Sequence, residues 1–341
     1  MKKICFFVVL VIVLTIFTTL LYAQEYKEYN IIQVSLGNYG DHWVQLQNGA
    51  QGMAEELGCK YMLMSAEMDY DKEVTLLQNA VTMKPDAIFL DHGNGVALTP
   101  IVEKAVEAGI KVVAFDTIVP VEGLVGTINQ DDYMLGYLSA KQMAMDIKGE
   151  GNIVVVSFEG ADPIMRRKKG LALILDYFPK LKVIAEFGPV AQNTIPLTMD
   201  NMNAVLTRYP KEGDIAAVWA PWDQWAIGCA KAIEAAGRNI PVYGCDVSPY
   251  DLTIIATEGS AWKATVACDP REIGRLAIRY ILLALMGEKV PQYTMFPGVL
   301  IGQEKARSIP EGSFITKDII PEWGESGLGW TNELKERAGL K

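Results

Sequence analysis

The sequence predicts an α/β protein made of two doubly wound parallel-sheet lobes. Three observations predict this. Short apolar runs alternate with amphipathic stretches from Ile31 onward, the strand-and-helix order of βαβ units. The runs are continuous rather than alternately apolar and polar, as strands covered on both faces must be. The pattern occurs twice along 341 residues, a length that suits two domains of about 150 residues each.

The first half reads as follows. Ile31-Ile32-Gln33-Val34-Ser35 is a strand, and Val44 to Leu57 is a helix ended by Gly58. Tyr61 to Met64 is a strand, and Lys72 to Met83 a helix stopped by Pro85. Ala87 to Leu90 is a strand, and Ile101 to Ala108 a helix capped by Gly109. Lys111 to Phe115 is the next strand. Glycine after a last helical turn and proline beyond it are the expected stops.

The second half repeats the order. Strands fall at Asn152–Ser157, Lys182–Phe187, Ala216–Ala220, Pro241–Cys245 and Ala264–Ala267. Helices fall at about Pro163–Tyr177, Pro196–Arg208, Asp223–Ala236 and Tyr250–Glu258, and a longer one covers Arg271–Met286. From Ser308 the glycines, prolines and tryptophans show no period. That tail reads as an irregular extension packed on the outside.

Ahead of this pattern, Lys2-Lys3 precede an apolar run from Ile4 to Leu21 and then Ala23-Gln24. This is the pattern of a secretory signal peptide over residues 1–23. The run is also long enough to span a bilayer, so an uncleaved anchor is the alternative. Cys5 lies inside the run, which argues against a lipid-attached N-terminus. The whole chain has 31 Lys and Arg against 41 Asp and Glu, a net charge of −10. Losing Lys2 and Lys3 makes it more acidic still. Such a chain offers no footprint for nucleic acid or anionic lipid.

Cys59, Cys229, Cys245 and Cys268 form no C-x-x-C pair and have no neighbouring His. Zinc and thioredoxin-like readings are therefore weak, and no metal or cofactor is expected. Export would permit a disulfide, but four cysteines in a large-core protein are more often buried small apolar groups; if any two pair, they are Cys245 and Cys268. Catalytic motifs are missing too. Gly37-Asn38-Tyr39-Gly40 is not G-x-G-x-x-G, and the chain has no P-loop and no G-x-S-x-G elbow. The chain reads as a binding protein rather than an enzyme.

In doubly wound sheets ligands bind beyond the carboxyl ends of the strands, so a cleft between two lobes is the expected site. His42-Trp43, Asp91-His92, Asp116-Thr117, Asn193, Trp222 and Asp246 all follow strands. Carboxylates and amides bond hydroxyls, and flat rings cover the C–H face of a sugar. Asp and Asn at such places also cap helices. His92 is expected to cap its loop.

At these residues the chain resembles the type I periplasmic solute-binding proteins of the ribose-binding-like group. The matching segments are His42-Trp43 with Gly49-Ala50, Val113 to Asp116, Arg166 to Gly170, Tyr243 to Asp246, and Ala264 to Ala267. They span about residues 30–306. The resemblance implies two lobes joined by a three-crossover hinge, with crossings near Thr127–Asp131, Ala267–Pro270 and Pro297–Ile301. It implies a first lobe of residues 30–130 plus 269–298 and a second of residues 131–268 plus 299–341. His42 and Trp43 match ring-stacking positions, and Asp116 and Asp246 match hydroxyl-binding carboxylates. Arg167 matches an Arg that enters the cleft, and Asn193 and Trp222 fall at two further contact positions.

Departures count against ribose itself. His42 replaces an apolar aromatic, Thr117 stands in place of an Arg, and Trp222 stands in place of an Asn. The resemblance thus implies a neutral monosaccharide or sugar alcohol as ligand and an ABC permease as membrane partner. It implies an exported monomer, in the periplasm or at the cell exterior, that closes by hinge motion. The alternative is a sensor-associated protein feeding a chemoreceptor or histidine kinase. A cytoplasmic repressor of this fold would begin with a DNA-binding headpiece, where this chain has its apolar leader.

Overall fold

A computed structural model describes residues 26–38, 40–309 and 326–340. The expected leader, Tyr39 and half of the tail lie outside the described residues. The first sheet takes β1 (Asn30–Ser35), β2 (Lys60–Ser65), β3 (Ala87–Asp91), β4 (Lys111–Phe115), β5 (Gly126–Gln130) and β11 (Tyr293–Phe296). Its order is β11-β5-β4-β3-β1-β2, parallel throughout. The second sheet takes β6 (Glu150–Val156), β7 (Lys180–Phe187), β8 (Ala217–Ala220), β9 (Val242–Cys245), β10 (Trp262–Ala267) and β12 (Val299–Gly302). Its order is β12-β10-β9-β8-β6-β7, with β12 antiparallel to β10.

Helices α1 (Asp41–Glu56), α2 (Tyr70–Thr82), α3 (Gly95–Glu107) and α9 (Pro270–Leu285) cover the first sheet. Ile31, Phe89 and Val113 face one layer with Leu46, Met53 and Ile273 of α1 and α9. Their neighbours Ile32, Ile88 and Val112 face the opposite layer with Leu77 of α2 and Leu98 of α3. Successive strand residues point to opposite faces, so strands sandwiched between helices must be apolar at every position. That is why these strands read as unbroken apolar runs.

The second sheet is built in the same way. Helices α4 (Asp132–Asp146) and α5 (Asp162–Tyr177) cover one face, with Ile153, Val155 and Trp219 beneath them. Helices α6 (Thr194–Arg208), α7 (Asp223–Ala235) and α8 (Pro249–Ala256) cover the other, over Val154, Val218 and Val242. Helices α4 and α5 meet through glycines. A Cβ on Gly136 would lie 2.0 Å from the Arg167 carbonyl oxygen, and one on Gly170 would lie 2.4 Å from that of Tyr133. This close approach sets Arg167 beside the start of α4.

Within residues 40–309 the chain passes between the sheets three times: from β5 to α4 at Asp131, from β10 to α9 at Cys268-Asp269, and from β11 to β12 at Pro297-Gly298. Each passage falls within an expected stretch, although Thr127–Gln130 and Val299–Ile301 themselves belong to β5 and β12. The sequence did not foresee β5, α4, β11 and β12 as elements. Helix α3 also starts earlier than expected, because the Asn94 side chain accepts bonds from the Val96 and Ala97 amides.

One expectation is corrected. Residues 299–341 are expected in the second lobe, and α10 (Gln303–Ser308) does pack there on α8. Residues 326–340, however, return to the first. In α11 (Asn332–Arg337), Leu334 is buried with the α1 and α9 residues. Arg337 donates to the Leu57 carbonyl, left open at the end of α1, and to that of Lys27, ahead of β1, at 2.7 Å. The described cysteines form no bridge. Cys59, Cys229, Cys245 and Cys268 are all free. Cys245 faces the Ser139 hydroxyl at 3.5 Å, while Cys268 donates to the Phe296 carbonyl at 3.2 Å. Among the described residues no helix is long and apolar enough to cross a membrane.

Candidate functional site

Both strand orders reverse beside the first strand of their sheet: β1 lies between β3 and β2, and β6 between β8 and β7. Such reversals open a crevice at the carboxyl ends. The two crevices face one another across a cavity of about 760 Å³. His42, Trp43, Met68, His92, Asp116 and Gln130 line it from the first lobe, and Ile164, Arg167, Trp222, Trp225 and Asp246 from the second.

The backbone marks the same place. Four cavity residues other than glycine have positive φ: Met68 (66°), His92 (61°), Asp116 (50°) and Asp246 (70°). This region costs a side-chain-bearing residue about 1–3 kcal/mol, and such residues gather at ligand sites. The Asp116 amide donates to the Ile128 carbonyl at 3.1 Å and the Asp246 amide to that of Val266 at 3.0 Å. Each carboxylate is thereby turned at its strand end and held by the neighbouring strand.

Two arginines organise the polar floor. Arg167, almost wholly buried on α5, donates to Asp246 through both terminal nitrogens, at 2.6 and 2.9 Å. Its Nε donates to Asp132 at 2.8 Å and its Nη1 to the Pro221 carbonyl at 2.8 Å. Burial opposes its charge, but Asp246 and Asp132 outweigh that and hold the guanidinium firmly ionised. Arg166 takes the other Asp132 oxygen at 2.7 Å. It also reaches into the first lobe to Asp116 Oδ1 at 3.2 Å. Gln130 donates to Asp116 Oδ2 at 3.0 Å. Asp116 is thus gripped from both lobes.

An aromatic cluster forms the adjoining wall. The His42 ring stacks on Phe115 at 6.2 Å, and Trp43 leans on His92 at 5.1 Å. A Cβ on Gly37 would lie 2.6 Å from the Trp43 indole, so only glycine allows that ring its place. Burial pushes the His42 imidazole down to about 4, so it is neutral near pH 7. His42 Nε2 and Trp43 Nε1 are buried with no hydrogen-bond partner in the protein. Such atoms are costly unless a ligand or water bonds them. His92 differs. Burial disfavours its charge, but the hydrogen bond to Asp91 and the charges of Asp91 and Asp116 raise its pKa overall.

The loop that carries His92 rests on Glu73 of α2. A Cβ on Gly93, at φ 90°, would lie 2.2 Å from Glu73 Oε2. Glu73 is fully buried, and neither of its carboxyl oxygens has a partner. Desolvation, and then the charge of Asp91, push it up to about 9.

Six of the seven expected residues come together here: His42, Trp43, Asp116, Arg167, Trp222 and Asp246. Asn193 does not. It is exposed at the start of α6, outside the cavity lining, and Val190 of the same loop lines the cavity instead. His92, expected as a loop cap, lines the cavity as well. Thr117 is buried behind it, with its hydroxyl toward the Gly93 carbonyl at 3.5 Å. Sequence reasoning missed Met68, Gln130 and Trp225. Of these, Trp225 carried a signal, as the second indole of Trp222-Asp223-Gln224-Trp225.

Residues 32–289 match the model of the periplasmic binding protein domain family. The ribose import binding protein of Bacillus subtilis is 30% identical over 274 residues, covering 80% of this chain and 86% of its own. A solved 5-methylthioribose transporter solute-binding protein from Thermotoga lettingae superposes with a TM-score of 0.85 at 34% identity, over 91% of this chain and 98% of that one. An ABC transporter solute-binding protein from Agrobacterium vitis with bound allitol gives 0.78 at 32% identity, over 83% and 98%.

Proposed function

Because the chain belongs to the type I periplasmic binding proteins of the ribose-binding group, which bind substrate for transporters and are not enzymes, we propose that it captures a neutral monosaccharide or sugar alcohol for an ABC importer. The observation that carries this reading is the state of the cations in the cavity. Arg167 is committed to Asp246, Asp132 and the Pro221 carbonyl, and Arg166 to Asp132 and Asp116. An anionic ligand therefore meets carboxylates, including Glu103 and Asp162 of the lining, and no uncommitted lysine or arginine of the lining. A polyol meets carboxylate acceptors, an imidazole, indole faces and the unpaired Trp43 N–H.

The relatives support this class. They are described as binding ribose, 5-methylthioribose and allitol, all uncharged polyhydroxy compounds. In this reading the first lobe is residues 30–130 with 269–298, the second is residues 131–268 with 299–309, and the three crossings act as the hinge. Ligand contacts from both lobes favour the closed form. The protein works outside the cytoplasm as a monomer and presents the closed form to a membrane permease.

The test is a thermal-shift screen of residues 24–341 against pentoses, hexoses, sugar alcohols, 5-methylthioribose, amino acids and nucleotides. A ligand at about 100 times its Kd stabilises the fold by about 2.7 kcal/mol. A response confined to neutral sugars or polyols is expected. Binding confined to charged amino acids or nucleotides overturns the reading.

A further inference from the structure

The polar floor of the cavity is compact: Asp116, Asp246, Arg167, Gln130 and His92. It occupies only part of the space. The cavity, about 760 Å³, extends across the cleft between the two lobes. Much of the remaining wall is apolar. Met68 supplies it from the first lobe, and Ile164, Val190 and Trp222 from the second. Trp222 stands at 80° to Trp225, with ring centres 5.2 Å apart. One indole face is enough to cover the C–H side of a sugar ring, and this wall offers more than that.

Met68 is held there against its own backbone preference. Glu67 and Met68 both have positive φ, 58° and 66°. Asp, Asn and His tolerate that region comparatively well, whereas methionine has no local hydrogen bond with which to do so. The turn persists because it is tied to the end of β1. The Ala66 amide donates to the Ser35 carbonyl at 2.9 Å and the Met68 amide to that of Leu36 at 2.7 Å. The result carries a first-lobe thioether across the cleft onto the second lobe's apolar cluster, which contains Ile164 and Trp222. A flexible, polarisable side chain suits an apolar group of variable shape.

We propose that Met68, Ile164, Val190 and Trp222 form a subsite for an apolar substituent, so that the preferred ligand is a neutral pentose carrying a short alkyl or alkylthio group. The inference rests on the sugar-capturing reading above and narrows its substrate class. The floor takes the hydroxyls and the wall takes the substituent. Met68 then acts as a specificity residue.

Isothermal titration calorimetry on the mature chain tests it with two matched pairs: D-ribose with 5-methylthio-D-ribose, and D-arabinose with 5-methylthio-D-arabinose. In any pair that binds, the alkylthio sugar is expected to be at least tenfold tighter. Met68→Gln, of similar length but polar, should remove that gain and bring the two members of a pair within threefold of each other. Met68→Leu should restore the gain. Equal affinities within a binding pair overturn the subsite, as does a Met68→Gln loss shared equally by both members. If none of the four sugars binds, the pentose assignment fails. The wider screen then decides separately whether the protein takes neutral polyols.

Discussion

Arg166 Nη2 donates to Asp116 Oδ1 at 3.2 Å, so a guanidinium fixed in the second lobe grips a carboxylate at a strand end of the first. The same guanidinium is anchored by Asp132 at 2.7 Å. A charged hydrogen bond contributes about 1.5–3 kcal/mol. Arg166→Gln is therefore expected to weaken ligand binding roughly tenfold and to raise the radius of gyration of the liganded protein in solution scattering. A Kd within twofold of wild type would remove Arg166 from closure.

Arg167 has a heavier structural duty. Its side chain is 3% exposed, and it neutralises Asp246 and Asp132 together. Removing one partner of a buried ion pair strands the other charges, at a cost of about 3–5 kcal/mol. Arg167→Met should lower the unfolding free energy by that amount in urea titration and abolish binding. Unchanged stability would mean that the carboxylates find other partners.

Glu73 governs the alkaline side of the stability profile. In the unfolded chain a Glu ionises near 4.3, whereas burial in the fold raises Glu73 to about 9. Between those values the folded state holds a proton that the unfolded state has released. Stability therefore falls as pH rises, by at most about 1.4 kcal/mol per pH unit. Glu73→Gln should flatten the decline of Tm between pH 5 and 8. An unchanged slope would assign the decline to another group.

His42 acts in the opposite direction. Burial depresses its pKa to about 4, so its contribution is complete above about 6.5 and is lost as pH falls toward 4. The neutral ring persists through pH 7. Replacing it by Gln should flatten the acid limb of the Tm profile, which thermal scans from pH 4 to 7 would reveal.

Trp222 and Asn193 make a contrasting pair. Trp222 lines the cavity, and central indoles commonly contribute about 2 kcal/mol to binding. Trp222→Ala should raise the Kd at least tenfold in calorimetry. Asn193→Ala, at an exposed position outside the lining, should leave the Kd within twofold. The reverse ranking would return Asn193 to the site.

The strand-helix alternation was legible wherever apolar residues formed the buried face. It failed at α4, whose buried stripe is Asp132, Leu135, Gly136, Ser139, Ala140, Met143 and Ala144. The helical spacing is intact, but Asp, Gly, Ser and Ala carry little hydropathy, while Tyr133, Met134 and Met145 are exposed. Strands β11 and β12 are short and only partly buried, which leaves no continuous apolar run. Helix α11 contributes a single buried residue, Leu334, too little to show which lobe it joins.

Site residues were legible where a strand end coincided with a carboxylate or a ring, as at Asp116, Asp246 and Trp222. Met68 was not, because it lies three residues beyond the end of β2 and a positive φ turns it into the cavity. No composition or period encodes a positive φ at a methionine. Asn193 illustrates the converse. It has suitable chemistry after a strand, but Thr194 closes that loop on itself, with its hydroxyl bonded to Ala191 at both its amide and its carbonyl.

Gln130 ends β5, supports Asp116, and stands one residue before the first passage of the chain between lobes. Under the proposed closure, Gln130 and the Asp116 it supports sit beside the axle, while Val96 of the cavity lining is 87% exposed. Rotation displaces each atom in proportion to its distance from the axle. The inner end of a guest molecule then keeps nearly the same company whether the jaws stand apart or together, and only its outer end feels them shut. Capture and commitment fall to different atoms of the guest. A molecule correct within and wrong without would be held but never clasped.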